Sequence, residues 1–149
     1  MEVERMSDQQ LSVVNRIYEA FGTGDVPTIL GYMAADVEWE YGWASTVIPW
    51  LQPGRGPAHV GEFFQTLAEQ LEFSRFEVNH VLVGDAVVVA LVTLEALVRS
   101  TGRTIVETDE VHIWHFDGSG RVSRFRHAAD TLQQAQALGY ELREPAPAL

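Results

Sequence analysis

Two histidines in the C-terminal half of the chain sit in runs of strand-forming residues. One run carries Glu110, His112 and Trp114 at alternate positions, the next Phe125 and His127. Residues two apart on a strand share a face, so these five side chains are candidates for one surface. An imidazole has an unperturbed pKa of about 6.5 and exchanges a proton near neutral pH, and apolar surroundings favour its neutral, base-competent form. The chemistry implied is acid/base catalysis: His127 as base, Glu110 as the carboxylate that fixes its tautomer, and His112 as acid or oxyanion donor. Glu95 joins this catalytic set because it ends the apolar run Val87–Glu95, where an unpaired carboxylate is costly. Tyr18 and Tyr41 offer hydroxyls, Trp39, Trp114 and Phe125 offer flat apolar walls, and Trp50 lies in an apolar loop that is either a lid or a dimer contact. Each residue also has a structural alternative, since a strand histidine is often simply hydrogen-bonded. Asp25, Asp36 and Asp130 fit caps and turns, and His59 and His115 fit surface or interface positions.

Composition narrows the options. The 149 residues make one domain, with an ordered core over about 8–139 and a loose tail over 144–149. There is no cysteine, which removes disulfides, thiolate metal sites and thiol nucleophiles and fits a cytoplasmic location. A formal net charge of −11 argues against nucleic acid, and no apolar run has the length of a signal or membrane span. No phosphate-binding glycine loop or serine-hydrolase elbow is present, so no cofactor is expected. His112, His127 and Glu110 are metal-ligand types, but their spacing matches no metal signature, so no metal is expected either.

The elements that must position these residues follow from periodicity. Ser7 and Gln10 have the form of a capping box ahead of Leu11, Val14, Ile17, Tyr18 and Phe21, which predicts a helix ending at Gly22. Asp25 and Pro27 open a short second helix, and Pro57 a third carrying Val60, Phe63, Phe64, Leu67 and Leu71. Alternation predicts a strand over Asp36–Tyr41 with Val37, Trp39 and Tyr41 on one side and Glu38 and Glu40 on the other. Four strands follow, Phe76–Val83, Ala86–Arg99, Thr104–Phe116 and Arg121–Ala129, then a helix over Thr131–Leu138 capped by Asp130. Closing the hairpins on Phe116–Arg121 and Arg99–Thr104 sets Glu110 opposite His127, His112 opposite Phe125 and Leu91, and Glu95 opposite Thr108. One face then holds Val89, Leu91, Thr93 and Glu95 with the histidine cluster. The strand over 86–98 is apolar on both sides, from which a homodimer through the back of the sheet is expected.

Together with this element order, the phrases Tyr18-Glu19-Ala20-Phe21, Gly24-Asp25, Met33-Ala34-Ala35-Asp36-Val37, Arg55-Gly56-Pro57, Trp114-His115-Phe116-Asp117-Gly118 and Phe125-Arg126-His127-Ala128 resemble the SnoaL-like and ketosteroid isomerase-like proteins of the nuclear transport factor 2 superfamily. The resemblance implies an α+β cone, a curved antiparallel or mixed sheet wrapped around three N-terminal helices, with an apolar pocket at one end. It also implies a choice among isomerases, polyketide cyclases, dehydratases, epoxide hydrolases and binding modules. The positions matching the steroid isomerases' catalytic groups, Ile17, Tyr41 and His112, do not keep them. The epoxide hydrolase acids correspond to His127 and the neighbourhood of Thr93 and Glu95, with the arginine absent. The cyclases fit better, since their pocket histidine matches His112 and their acid/base aspartate falls at His127. The expectation is a cofactor-independent acid/base enzyme for a small hydrophobic, polyketide- or terpenoid-like molecule. An epoxide hydrolase and a non-catalytic hydrophobic-ligand module are the alternatives.

Overall fold

The computed structural model describes residues 2–44, 46–143 and 145–147. Part of the expected loose tail therefore lies outside the described residues. The elements run α1 (Glu2–Gly22), α2 (Val26–Gly31), β1 (Met33–Trp39), β2 (Gly54–Arg55), α3 (Pro57–Gln70), β3 (Leu71–Val83), β4 (Val87–Val98), β5 (Thr104–Phe116), β6 (Val122–Ala128) and α4 (Thr131–Ala137). The strands form one curved mixed sheet in the order β2-β1-β6-β5-β4-β3, in which only β1 and β6 run parallel. This is the α+β arrangement expected from the sequence.

The hydrophobic stripe of α1 buries Val14, Ile17 and Ala20, and α3 buries Val60, Phe63 and Phe64. Each fully buried aliphatic side chain contributes about 1.5–3 kcal/mol of transfer free energy, so these stripes hold both helices in the concavity of the sheet. Ser7 lies inside α1 rather than capping it, because the helix begins several residues earlier. Asp25 and Asp130 do cap, accepting from the backbone N–H of Thr28 and Gln133.

Two irregularities decide which residues face inward. In β5, Val92 pairs with Glu110 and Leu94 with Glu107, so two residues, Thr108 and Asp109, oppose one. Asp109 has φ +58°, the left-handed conformation that such a bulge accommodates. Parity therefore switches, with Ile105 and Glu107 facing inward before the bulge and Glu110, His112, Trp114 and Phe116 after it. The inward residues of β4 are accordingly Val88, Ala90, Val92, Leu94, Ala96 and Val98, not the expected row of Val89, Leu91, Thr93 and Glu95. The second irregularity lies where β6 leaves the last turn: His115 pairs with Arg124 and Phe116 with Val122, leaving Ser123 extra. The register shifts by two from the expected one, so His112 faces His127 and Trp114 faces Phe125. A shift of two keeps every residue on its face.

A third departure ends β1. The expected alternation through Tyr41 breaks at Glu40, whose φ is +56° and whose N–H donates to the Phe125 carbonyl at 2.7 Å. The side chains of Glu40 and Tyr41 consequently exchange sides relative to the alternating pattern.

Candidate active site

His112 and His127 lie side by side on adjacent strands, with ring centroids 4.7 Å apart. Glu110 precedes His112 by two positions on β5 and points the same way. Its Oε1 accepts from His112 Nε2 at 3.0 Å and lies 3.6 Å from His127 Nε2. On the far side of His127, the Glu40 carboxylate accepts from Nδ1, and its second oxygen accepts from the His127 backbone N–H at 3.2 Å. On the far side of His112, Nδ1 meets the Tyr18 hydroxyl at 2.7 Å, and that oxygen accepts from Trp114 Nε1 at 3.1 Å. A continuous chain thus runs Glu40–His127–Glu110–His112–Tyr18–Trp114.

A second chain braces Glu110. Glu107 lies beside it and accepts from the Asp130 N–H at 2.6 Å and from Gln134 Nε2 at 2.7 Å, while Gln134 Oε1 accepts from Trp50 Nε1 at 2.8 Å. The cap of α4 is therefore tied to the acid cluster directly through the Asp130 N–H, and the loop tryptophan through Gln134.

Burial sets the charges. Glu40 is 0% exposed, and Glu110, His112, His127, Glu107 and Gln134 are all below 9%. Burial, and secondarily the neighbouring His127, holds His112 well below the ordinary imidazole range, so it is neutral. Its Nε2–H then donates to Glu110 and its Nδ1 accepts from Tyr18. For His127 burial again opposes the charged form, but the neighbouring acids, Glu40 foremost and then Glu110 and Glu107, together outweigh it and the net shift is upward. Burial, reinforced by Glu110, pushes the Glu107 carboxyl up to about 8, so it keeps its proton at neutral pH. Burial also pushes the Tyr18 hydroxyl up, keeping it a donor.

Glu110, His112, His127 and Gln134 open onto a cavity of about 70 Å³ walled by Trp39, Phe125, Trp114, Phe63, Phe64 and Leu94, with Tyr18 at one side. Trp39 stacks on Phe125 at 4.2 Å between centroids, which gives one wall a continuous aromatic surface. The cavity is almost wholly apolar apart from the two chains.

Of the residues singled out from sequence, His112, His127, Glu110, Tyr18, Trp39, Trp114, Phe125 and Trp50 all line this cavity. Glu95 does not: it pairs with Val106 on the outer face, because the β5 bulge separates the parity of Val106 from that of Glu110. Tyr41 does not either, since the left-handed turn at Glu40 sends it outside. There its hydroxyl bonds His115 Nε2 at 2.6 Å and its ring packs under Arg124 at 3.9 Å. Sequence reasoning missed Glu40, Glu107 and Gln134. The nearby Gly42, at φ +80°, is the one available signal that the alternation stops before Tyr41. Glu107 is invisible without the bulge. Among the described residues, Glu110, His112 and His127 also offer one ligand atom each within 4.8 Å of one another, a grouping able to hold a metal ion.

The chain matches a family model, the SnoaL-like domain, over residues 14–125. Among solved structures it is similar to a nuclear transport factor 2-like protein from Burkholderia xenovorans LB400, with 26% identity, 88% of this chain and 96% of that chain covered, and a TM-score of 0.77. A structure from Xanthomonas campestris, provisionally described as a polyketide cyclase, shares 19% identity over 89% of this chain and 98% of that chain at a TM-score of 0.69. An epoxide hydrolase of limonene epoxide hydrolase-like type from Mycobacterium tuberculosis shares 14% identity over 89% and 90% at a TM-score of 0.64. A comparison with curated proteins gives no match. A cone-shaped sheet around helices, a polar cluster at the base of an apolar cavity, and a family model spanning most of the sequence agree: the protein belongs to the SnoaL-like family of the nuclear transport factor 2-like fold.

Proposed function

We propose that the protein is an acid/base enzyme acting on a small, largely apolar organic molecule of polyketide or terpenoid type, by cyclisation, isomerisation or dehydration. The observation that carries this reading is His127, held at Nδ1 by the fully buried Glu40 carboxylate while its ring lines an aromatic cavity. A carboxylate in that position fixes the tautomer and stabilises the imidazolium once a proton has been taken. His127 Nε2 removes a proton from substrate carbon or hydroxyl, and the imidazolium returns it to another atom or to a departing hydroxyl. His112, with both ring nitrogens engaged, acts through its neighbours by presenting the Glu110 carboxylate and the Tyr18 hydroxyl. The cavity walls select for apolar bodies and exclude water.

Neighbours provisionally described as a cyclase and an isomerase, the latter from Rhodopseudomonas palustris, support the reaction class. For the epoxide-hydrolase alternative, with its own structural neighbour, water would have to be held by Glu110 with His127, since Glu95 faces outward.

The test is solvent-deuterium incorporation into candidate ring substrates, read by mass spectrometry, for the wild type and His127→Gln. Exchange or product in the wild type that falls at least about 100-fold in the variant is expected for a general base. Recovery of every tested ligand bound but unlabelled and unchanged would make the chain a binding module. Heavy-oxygen label from water in an opened epoxide would move it to the hydrolases.

A further inference from the structure

Three acidic side chains, the carboxylates of Glu40 and Glu110 and the protonated carboxyl of Glu107, are buried to 6% exposure or less around two imidazoles, of which His112 is neutral. The chain has no lysine, and among the described residues the ion pairs recorded for Glu40 and Glu110 are all with histidine. The cluster is thus richer in negative than in positive groups, in a place where unbalanced charge is expensive.

Its geometry is directional. His112 Nε2 and His127 Nε2 both turn toward Glu110 Oε1, at 3.0 and 3.6 Å, while both Nδ1 atoms turn away and are held by Tyr18 and Glu40. Ligands bound at about 2.0–2.2 Å to a tetrahedral zinc ion lie about 3.3–3.6 Å from one another. Two of the three separations therefore differ from metal-ligand edges by no more than a few tenths of an ångström, and the third, between the two imidazole nitrogens, is within 4.8 Å, so the rings swing together to close on an ion. Ligating histidines ordinarily have the other ring nitrogen held by a carboxylate or another polar group, which is the arrangement around Nδ1 here. We infer that Glu110 Oε1, His112 Nε2 and His127 Nε2 form a three-ligand site for a divalent transition-metal ion of the zinc type, with its remaining position open to the cavity.

The donor set, two imidazoles and one carboxylate, suits zinc, cobalt and ferrous iron rather than magnesium or calcium. A dication facing Glu110, with Glu40 behind His127, leaves the cluster balanced. On binding, the Nε2 proton of His112 passes to Nδ1, where the Tyr18 oxygen accepts it, and any Nε2 proton on His127 leaves to solvent. The ion takes the lone pair that the proposed proton transfer uses, so occupancy inhibits that reaction. This consequence alone rests on the acid/base reading.

Binding is read without substrate. Chelator-treated protein is titrated with cobalt(II), followed by its visible d–d absorption, and then competed with zinc(II). One ion per chain is expected, with visible bands of low-coordinate cobalt that Glu110→Gln abolishes, Glu40→Gln weakens about 10–100-fold, and Glu95→Gln leaves unchanged. Circular dichroism checks that each variant is folded. Nitrogen-15 spectra of wild-type histidine side chains supply a second readout that needs no variant: zinc should move the Nε2 signals of His112 and His127. Absence of saturable cobalt binding, unchanged binding in folded Glu110→Gln, or shifts confined to His59, His80 and His115 would each overturn the site. Metal binding, with no turnover of any tested substrate by the metal-free protein, leaves this site standing and sinks the acid/base reading. Turnover without metal binding does the reverse.

Discussion

In the proposed reaction Glu40 is the residue that holds the base, although the alternating pattern of its strand places it on the solvent side. Its left-handed backbone aims a fully buried carboxylate at His127 Nδ1 and the same residue's N–H. Glu40→Gln keeps the shape and removes the charge, so turnover should drop about 100-fold or more while the fold persists. Equal kcat/KM for the two proteins on an accepted substrate would remove Glu40 from the mechanism. Trp50→Phe tests the bracing chain. It strips the buried donor from Gln134 Oε1 and should lower the free energy of unfolding by about 1–3 kcal/mol in urea titrations.

Among the elements, β5 is the one whose irregularity makes the site. Its bulge lets a single strand present Ile105 and Glu107, and then Glu110 and His112, to the same interior. Asp109→Gly suits the left-handed backbone and should leave the melting temperature close to that of the wild type. Asp109→Val places a β-branched residue at φ +58° and should cost about 1–3 kcal/mol; an unchanged urea midpoint would show that the bulge is soft. The same bulge explains what could be read without a structure. Helices, strand order along the chain and the grouping of His112, Trp114, Phe125 and His127 on one face follow from periodicity, and the two-residue register error leaves that face intact. Glu95 is misplaced because one inserted residue inverts parity, a local event that hydrophobic alternation does not encode. Tyr41 and Glu40 exchange sides for the same kind of reason, a single positive φ at the end of β1.

At the scale of the molecule, the excess of acids governs stability. All ten basic residues are arginine, against 21 acids, so self-repulsion opposes compaction at neutral pH. Raising salt from about 0.01 M to 0.15 M shortens the screening length from about 30 to 8 Å and should raise the melting temperature; a fall would mean that surface ion pairs dominate. On the outer sheet face, burial first and then Arg124 lower the pKa of the partly buried His115, whose Nε2 meets the Tyr41 hydroxyl. A base depressed on folding contributes stability that is fully present above its unfolded value of about 6.5 and is lost as pH falls toward the folded one. His115→Gln should therefore flatten the decline in stability below pH about 6.5, measured by urea unfolding at stepped pH. No helix among the described residues is long and apolar enough to cross a membrane. We propose that a second copy covers the outer sheet aliphatics Val89, Leu91, Val111 and Ile113, which cross-strand pairing sets side by side without an acid among them. Sedimentation of Leu91→Arg as a monomer against a wild-type dimer is the expected result, and a monomeric wild type would end the proposal. The aromatic lining of the cavity has one more consequence. Trp39, Trp50 and Trp114, three of the four indoles in the chain, stand in its wall, so the intrinsic fluorescence of the unlabelled protein is an optical gauge of occupancy, able to report ligand affinity before any reaction product is known.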